Sequence, residues 1–193
     1  AKKLKLKPRD IYFSNHHLSH LFSSKYFSHS GDSLALVLDA IGEDSSGIIA
    51  KIIDHNITDC VHLPPEKSIG LFYSSITVYC GFKVLTGEYK LMGLAPYGSP
   101  VYYDHLVDVF GKPEYNYFSI RDLNIFSDVL LSELLSNRLP FPPRQEGTVL
   151  LQQYADLASS AQLYLESFVK NLVISYKNKY FPSRSVDLIF GGG

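Results

Sequence analysis

Apolar and polar positions alternate along this chain in blocks that change period several times, and the changes mark the elements. Ile11-Tyr12-Phe13 reads as a short strand. After it, Ser14 or Asn15 offers an N-cap for a helix over 16–27, which His29-Ser30-Gly31-Asp32 terminates. Three apolar runs follow, 33–39, 47–54 and 57–63, separated by the turn-forming stretches Gly42–Gly47 and His55-Asn56. Runs of this length with short connections predict an antiparallel meander. Pro64-Pro65 closes the last strand. The spacing Leu71-Phe72-Tyr73, Ile76, Tyr79-Cys80 then predicts a helix that ends before Gly81.

The stretch 99–147 carries no clean period. Tyr102, Tyr103, Tyr115, Tyr117 and Phe118 are scattered among glycines and prolines, and Pro140-Phe141-Pro142-Pro143-Arg144 reads as an extended loop or lid. From Thr148 to Tyr180 the pattern turns helical again, with Leu151, Tyr154-Ala155, Ala158, Ala161-Gln162, Leu165, Phe168-Val169 and Leu172 three and four apart. A final apolar strand, 186–190, runs into Gly191-Gly192-Gly193.

Composition narrows the function classes. At 193 residues and 46% hydrophobic content the chain can bury a core. Its formal charge of −1 provides no global field for nucleic acid or acidic membrane, so nucleic acid is not an expected partner. Four lysines among the first seven residues form a local basic patch on what reads as a solvated terminus. Cys60 and Cys80 stand outside any CxxC spacing, which argues against a disulfide framework and suits a reducing cytosol. The sequence contains neither an apolar run of membrane-spanning length nor the apolar core of a secretory signal, so a cytoplasmic protein is expected.

The densest candidate chemistry is His16-His17-Leu18-Ser19-His20 followed by Asp39 at the end of an apolar strand. Histidines four apart share a helix face, with Cβ atoms about 5–6 Å apart, so His16 and His20 can grip one cation while His17 points elsewhere. Asp39 adds a carboxylate. Such a donor set suits Fe(II) or Zn and leaves a position open. The same residues would also serve as a solvated helix start and an ordinary turn aspartate.

A second loaded stretch is Thr86-Gly87-Glu88-Tyr89-Lys90-Leu91-Met92-Gly93-Leu94-Ala95-Pro96-Tyr97-Gly98. Its glycines permit close backbone approach, and Lys90 and Glu88 are supporting catalytic candidates, Lys90 toward a phosphate or carbamoyl oxygen and Glu88 toward a hydroxyl. Read structurally, the pair is a surface ion pair worth about 0–1 kcal/mol. The closing glycine run is either a place where backbone amides approach phosphate or simply a flexible terminus.

Ser68-Ile69-Gly70-Leu71-Phe72-Tyr73-Ser74, then Gly81-Phe82-Lys83, then Gly87 to Gly98 closely resemble the O-carbamoyltransferases that decorate Nod factors, aminoglycosides and cephalosporin-type antibiotics. The opening His-His-Leu-Ser-His, Asp39 and the closing glycines fall in that family's order. The resemblance covers about residues 11–193. It implies an α/β domain of the actin-like, sugar-kinase-like ATPase (ribonuclease H-like) fold, a mixed sheet with flanking helices, related to the tRNA threonylcarbamoyl-transferring proteins. It further implies that carbamoyl phosphate and ATP form a carbamoyl-adenylate, whose carbamoyl group passes to a hydroxyl of a small acceptor. His16, His20 and Asp39 would hold the metal, iron in this family. The backbone of Asp39, Ala40, Ile41 and Gly42, with Gly191 and Gly192, would lie near the nucleotide.

Set against the family's pattern, residues 1–30 would close a first lobe and 31–193 begin a second, with 99–147 an irregular family-specific insertion. The family's opening phosphate-loop hairpin, a later metal-binding Asp and the adenylate-forming domain have no counterpart in the sequence. The expectation is a fragment without turnover by itself, with the remainder of the enzyme as a possible separate chain. Two other readings stay open: a non-catalytic module that binds a partner chain through aromatic surface in 99–147, and tRNA threonylcarbamoyl transfer, which the near-neutral charge disfavours.

Overall fold

The computed structural model describes residues 9, 11–120 and 135–192. The lysine-rich start, 121–134 and Gly193 lie outside the described residues. Helix α1 (His16–Phe27) is followed by β1 (Ser33–Leu38), β2 (Gly47–Ile53) and β3 (Asn56–Leu63), then a short 3₁₀ turn (Pro65–Lys67) and α2 (Ile69–Tyr79). Next come α3 (Glu88–Leu94), a second 3₁₀ turn (Ala95–Tyr97), α4 (Tyr103–Phe110), the 29-residue α5 (Gln152–Tyr180) and β4 (Asp187–Gly192).

The predicted meander is present: β1 pairs antiparallel with β2, and β2 with β3. Strand β4 then lies parallel to β1, which gives a mixed sheet of order β3-β2-β1-β4. The central strands β1 and β2 are apolar at successive positions and buried on both faces, so alternate side chains serve two separate cores. Ala35, Val37, Ile48, Ala50 and Ile52 meet Leu21 of α1 on one face. Leu34, Leu36 and Ile49 meet α2, α4 and α5 on the other.

That second core is built around aromatic rings. Phe72 of α2 is fully buried, stacks on Tyr164 at 4.7 Å between ring centroids, and meets Phe110 edge-on at 4.8 Å. Phe118 packs on Phe168 at 4.8 Å, and the Tyr164 hydroxyl donates to the Gly111 carbonyl at 2.7 Å, so its burial leaves no polar atom stranded.

Three sequence expectations have different outcomes in the structure. Ile11-Tyr12-Phe13 is irregular and exposed, with no strand beside it among the described residues to complete a ladder. Among the described residues, most aromatics expected on a partner-binding surface in 99–147 turn inward: Phe118 is fully buried, Tyr102, Tyr103 and Tyr115 pack against the core, and Tyr117 is strongly exposed. Pro140–Arg144 is the irregular loop that the sequence predicts, packed as a strap rather than standing off as a lid. Phe141 is buried, its carbonyl accepts from the Tyr79 hydroxyl, and the Arg144 side chain donates to the carbonyls of Cys80 and Gly81 at the end of α2.

The long helix begins at Gln152 rather than Thr148, because Thr148 is held in a turn whose amide and hydroxyl both donate to the Gln145 carbonyl. Strand β4 extends through Gly191 and Gly192 rather than stopping at Phe190.

Phe72→Ala is expected to cost about 3–5 kcal/mol in urea denaturation, whereas Tyr117→Ala should change stability by no more than about 0.5 kcal/mol. Equal losses would contradict this assignment of core and surface.

Candidate metal centre and adjoining cleft

Asn15 caps α1 as expected, its side-chain oxygen accepting from the Leu18 amide at 3.0 Å. One turn of helix then places His16 and His20 on the same side, with ring centroids 4.7 Å apart. At the C-terminal end of β1, Asp39 reaches both imidazoles. Its Oδ2 lies 2.6 Å from His16 Nε2 and 3.6 Å from His20 Nε2. One donor atom from each of the three lies within 4.8 Å of the others, which makes a compact two-imidazole, one-carboxylate donor set. Asp39 Oδ1 accepts from the Ala40 amide at 2.7 Å, and this orients Oδ2 toward the rings. The side chains are partly exposed, 42% for His16, 36% for His20 and 20% for Asp39, so solvent or a substrate can reach the centre. By donor chemistry and spacing the three residues fit a first-row divalent cation.

Two groups that local pattern does not reveal fix this geometry. Glu43, in the β1–β2 connection, accepts from the His16 amide at 3.1 Å and from the Asn15 side chain at 3.2 Å. A carboxylate at a helix N-terminus is favoured by the helix dipole. Hydrogen bonding from its own amide outweighs desolvation and, with the His16 amide, keeps the Glu43 carboxyl below the usual range.

His17 is completely buried between α1 and the same connection, and its Nδ1 lies 3.0 Å from the Ser45 hydroxyl. Burial, then the neighbouring His16, lowers its pKa and favours the neutral ring. A side chain at Gly42 would strike that ring at 2.5 Å, so the glycine makes room for it. His17 therefore points away from the donor set, as helical phase requires, and wedges the connection that carries Asp39.

The sequence-predicted nucleotide residues divide into two places. Asp39, Ala40, Ile41 and Gly42 form the turn beyond β1, while Gly191 and Gly192 lie in edge strand β4, where Gly192 is in register with Leu38. A Cβ on Gly191 would meet Ser24 Oγ at 2.3 Å, and one on Gly192 would meet the Leu38 carbonyl at 1.9 Å. Both glycines are thus required by close packing against α1 and β1.

On the α2 side the end of β1 borders a cleft of about 430 Å³, whose lining includes Asp39, Ala40, Gly70 and Glu88. Gly70 has no room for a side chain, because a Cβ there would meet Ala40 N at 2.7 Å. Ser68 caps α2, accepting from the Leu71 amide, and its hydroxyl donates to the Ala40 carbonyl, tying helix to turn.

Glu88 and Lys90 separate. Glu88 Oε1 accepts from the Ser74 hydroxyl at 2.7 Å and the Leu85 amide at 2.9 Å, and Oε2 from the Gly87 amide at 3.2 Å. Desolvation is outweighed by these bonds, led by that from Leu85, and the carboxyl stays below its ordinary value. The clip holds Leu85 in the left-handed region, φ +65°, at a cost of about 1–2 kcal/mol for a side chain of this kind. Lys90 instead lies over the Tyr89 ring at 5.8 Å and lines a different cleft, with Phe82 and Tyr97.

The family described as carbamoyltransferase N-terminus matches residues 1–193. The chain is 33% identical over 170 residues to uncharacterized protein sll1178 of Synechocystis, covering 84% of this chain and 27% of the relative. It is 33% identical to nodulation protein NolNO of Sinorhizobium fredii (84% of this chain, 23% of the relative). It is 34% identical to nodulation protein NolO of Bradyrhizobium diazoefficiens (80% and 27%). The chain spans about a quarter of the length of these curated relatives.

His20→Ala is expected to lower Co(II) affinity in calorimetry by roughly a hundredfold, and His17→Ala by much less. Equal losses would mean that the helical phase does not separate the two rings. For Glu88, the folded pKa lies below the ordinary 4.5, so its stabilising contribution is complete above that value and is lost as pH falls through the folded pKa. Glu88→Gln should therefore flatten the acid limb of the thermal-stability profile, and an unchanged limb would contradict the clip.

Proposed function

The chain belongs to the carbamoyltransferase N-terminus family, and from that premise we propose that it carries the metal-bearing transfer centre of an enzyme that moves a carbamoyl group onto a hydroxyl of a small acceptor. The observation that carries the reading is the convergence of His16, His20 and Asp39. Relatives named as nodulation proteins support it, since they share most of this chain at about one-third identity. The donor is carbamoyl-adenylate, formed from carbamoyl phosphate and ATP.

His16, His20 and Asp39 would hold Fe(II) or Zn, which when bound supplies a Lewis acid to the charge that develops during transfer. The protein's own residues do the rest. Glu43 and His17 fix the ligand-bearing helix against the turn, Asp39 Oδ1 is committed to the Ala40 amide, and the turn 39–42 would lie beside the nucleotide. Gly191 and Gly192 bring β4 against β1 beside this turn, which suits an approach of the nucleotide along that side. Positioning two substrates at one centre supplies much of the acceleration in group transfer.

The wider fold we assign is the actin-like, ribonuclease H-like one. Its support is the three-stranded meander continued by a strand parallel to β1, with helices on both faces. No helix among the described residues is long and apolar enough to cross a membrane. With Cys60 and Cys80 both free, this suits a cytoplasmic enzyme.

The test uses the full-length polypeptide that contains these residues, supplied with carbamoyl phosphate, ATP, Fe(II) and a panel of alcohols. Carbamoylated product is expected by mass spectrometry, and His16→Ala should reduce it by about a hundredfold or more. Undiminished transfer in that variant would overturn the reading.

A further inference from the structure

Among the described residues, four other than glycine have positive φ: Asp54, His55, Leu85 and Ser183. Three are of types that turns tolerate, and Asp54-His55 simply connects β2 to β3. Leu85 is the exception. It is a bulky apolar residue in a left-handed conformation, and it is 81% exposed, so burial does not compensate the strain. A partly buried carboxylate, Glu88, holds it there by accepting from its amide. Strained backbone held in place by surrounding structure clusters where a ligand is recognised.

The position of Leu85 gives the strain a use. Leu85, Tyr89 and Leu165 line the cleft of about 430 Å³ whose other wall includes Asp39 and Ala40. Tyr89 is 64% exposed. The metal-ligating carboxylate thus stands between two approaches: the glycine-bearing strand β4 on the side of α1, and this cleft on the side of α2 and α3. Donor and acceptor cannot occupy the same volume, and this cleft offers apolar walls, Leu85, Tyr89 and Leu165, next to Asp39.

We propose that this cleft is the acceptor subsite, and that Leu85 and Tyr89 select alcohols that present an apolar face or substituent beside the reacting hydroxyl. The proposal rests on the carbamoyl-transfer reading for the identity of the reaction, but not for the existence of the subsite. In the transfer, the acceptor oxygen forms the new bond to the carbamoyl carbon. The bond from that carbon to the adenylate phosphate oxygen breaks, AMP leaves with the electron pair, and the hydroxyl proton passes to water. Glu88 is a positioning residue here. Its oxygens are taken by three donors and its pKa is lowered, so it holds Leu85 rather than accepting the proton.

The test compares methyl and phenyl β-D-glucopyranoside, two hydroxylated probes that differ in apolar surface, by ligand-observed NMR titration of the full-length protein. Wild type is expected to prefer the phenyl glycoside by about fivefold or more, and Leu85→Ser and Leu85→Gly should each reduce the preference below about twofold. Leu85→Gly should keep or raise the thermal midpoint, since glycine accepts positive φ without strain, which separates lost recognition from lost folding. Leu163→Ser, at an exposed position lining a different cleft, should keep the preference.

In turnover, Leu85→Gly should raise KM for the phenyl glycoside by about tenfold while changing kcat less. A preference that survives both Leu85 substitutions, or that Leu163→Ser also removes, or that wild type lacks, overturns the subsite. Selective binding without carbamoylated product supports the subsite and refutes carbamoyl transfer. Product formed without selectivity does the reverse.

Discussion

The turn from Asp39 to Ser46 is held from three directions, and the candidate chemistry depends on that restraint. From the sheet, the Asp39 amide donates to the Ser46 carbonyl and extends the β1–β2 ladder by one rung. From α1, the buried ring of His17 fills the space left by Gly42 and meets Ser45, while the His16 amide donates to Glu43. From α2, the Ser68 hydroxyl reaches the Ala40 carbonyl and Gly70 lets the helix come within van der Waals reach of the turn. A carboxylate at the end of a strand has freedom to rotate away from a histidine pair. Here that freedom is removed by the fold itself, so little ordering would remain to oppose the binding of an ion.

The sequence made α1, the meander, α2 and the long helix legible because each rests on local periodicity and on caps within four residues. Asn15 and Ser68 are caps of that kind, and the 3.6-residue phase that aligns His16 with His20 is equally local. The supports of the site are not local. Glu43 caps a helix that begins 27 residues earlier in the chain, and Ser45 meets a histidine 28 residues away. No window of sequence links them. The glycines that surround Glu88 obscure the helical pattern of α3, and the scattered aromatics of 99–118 give no period because each packs as an individual ring, Tyr103, Phe110 and Phe118 around Phe72 and Tyr164, Tyr102 on Phe141 and Tyr115 on Tyr176. Ile11–Phe13 shows the converse: composition suited to a strand makes none without a neighbour to pair with.

The two glycine sets show why residue type alone does not assign a role. At Gly42, Gly70, Gly191 and Gly192 an added Cβ would collide with a ring, a hydroxyl or a backbone atom, so packing by itself accounts for every one of them. A glycine whose only use was ligand approach would leave open space, as Gly93 does. Close packing and ligand approach are nonetheless compatible here. The contacts that exclude a side chain at Gly70 and Gly192 also keep the helix terminus and the edge strand against the end of β1, where a nucleotide would need them.

Leu85 differs in kind, because its conformation is explained by no contact that its own side chain makes within the fold's two cores. The Glu88 carboxylate spends two of its three hydrogen bonds on the amides of Leu85 and Gly87, and those bonds keep a strained backbone in place at the mouth of a cleft. Were the segment only a connection between α2 and α3, a glycine or asparagine at 85 would make the same turn at lower cost. A leucine there raises the energy of the free protein and exposes apolar surface to water. A ligand covering that side chain would offset part of both penalties, and the cleft that it lines also includes Asp39. Strain, exposure and position thus point to one wall beside Asp39, the wall along which we propose that a hydroxyl-bearing acceptor approaches the candidate ligands.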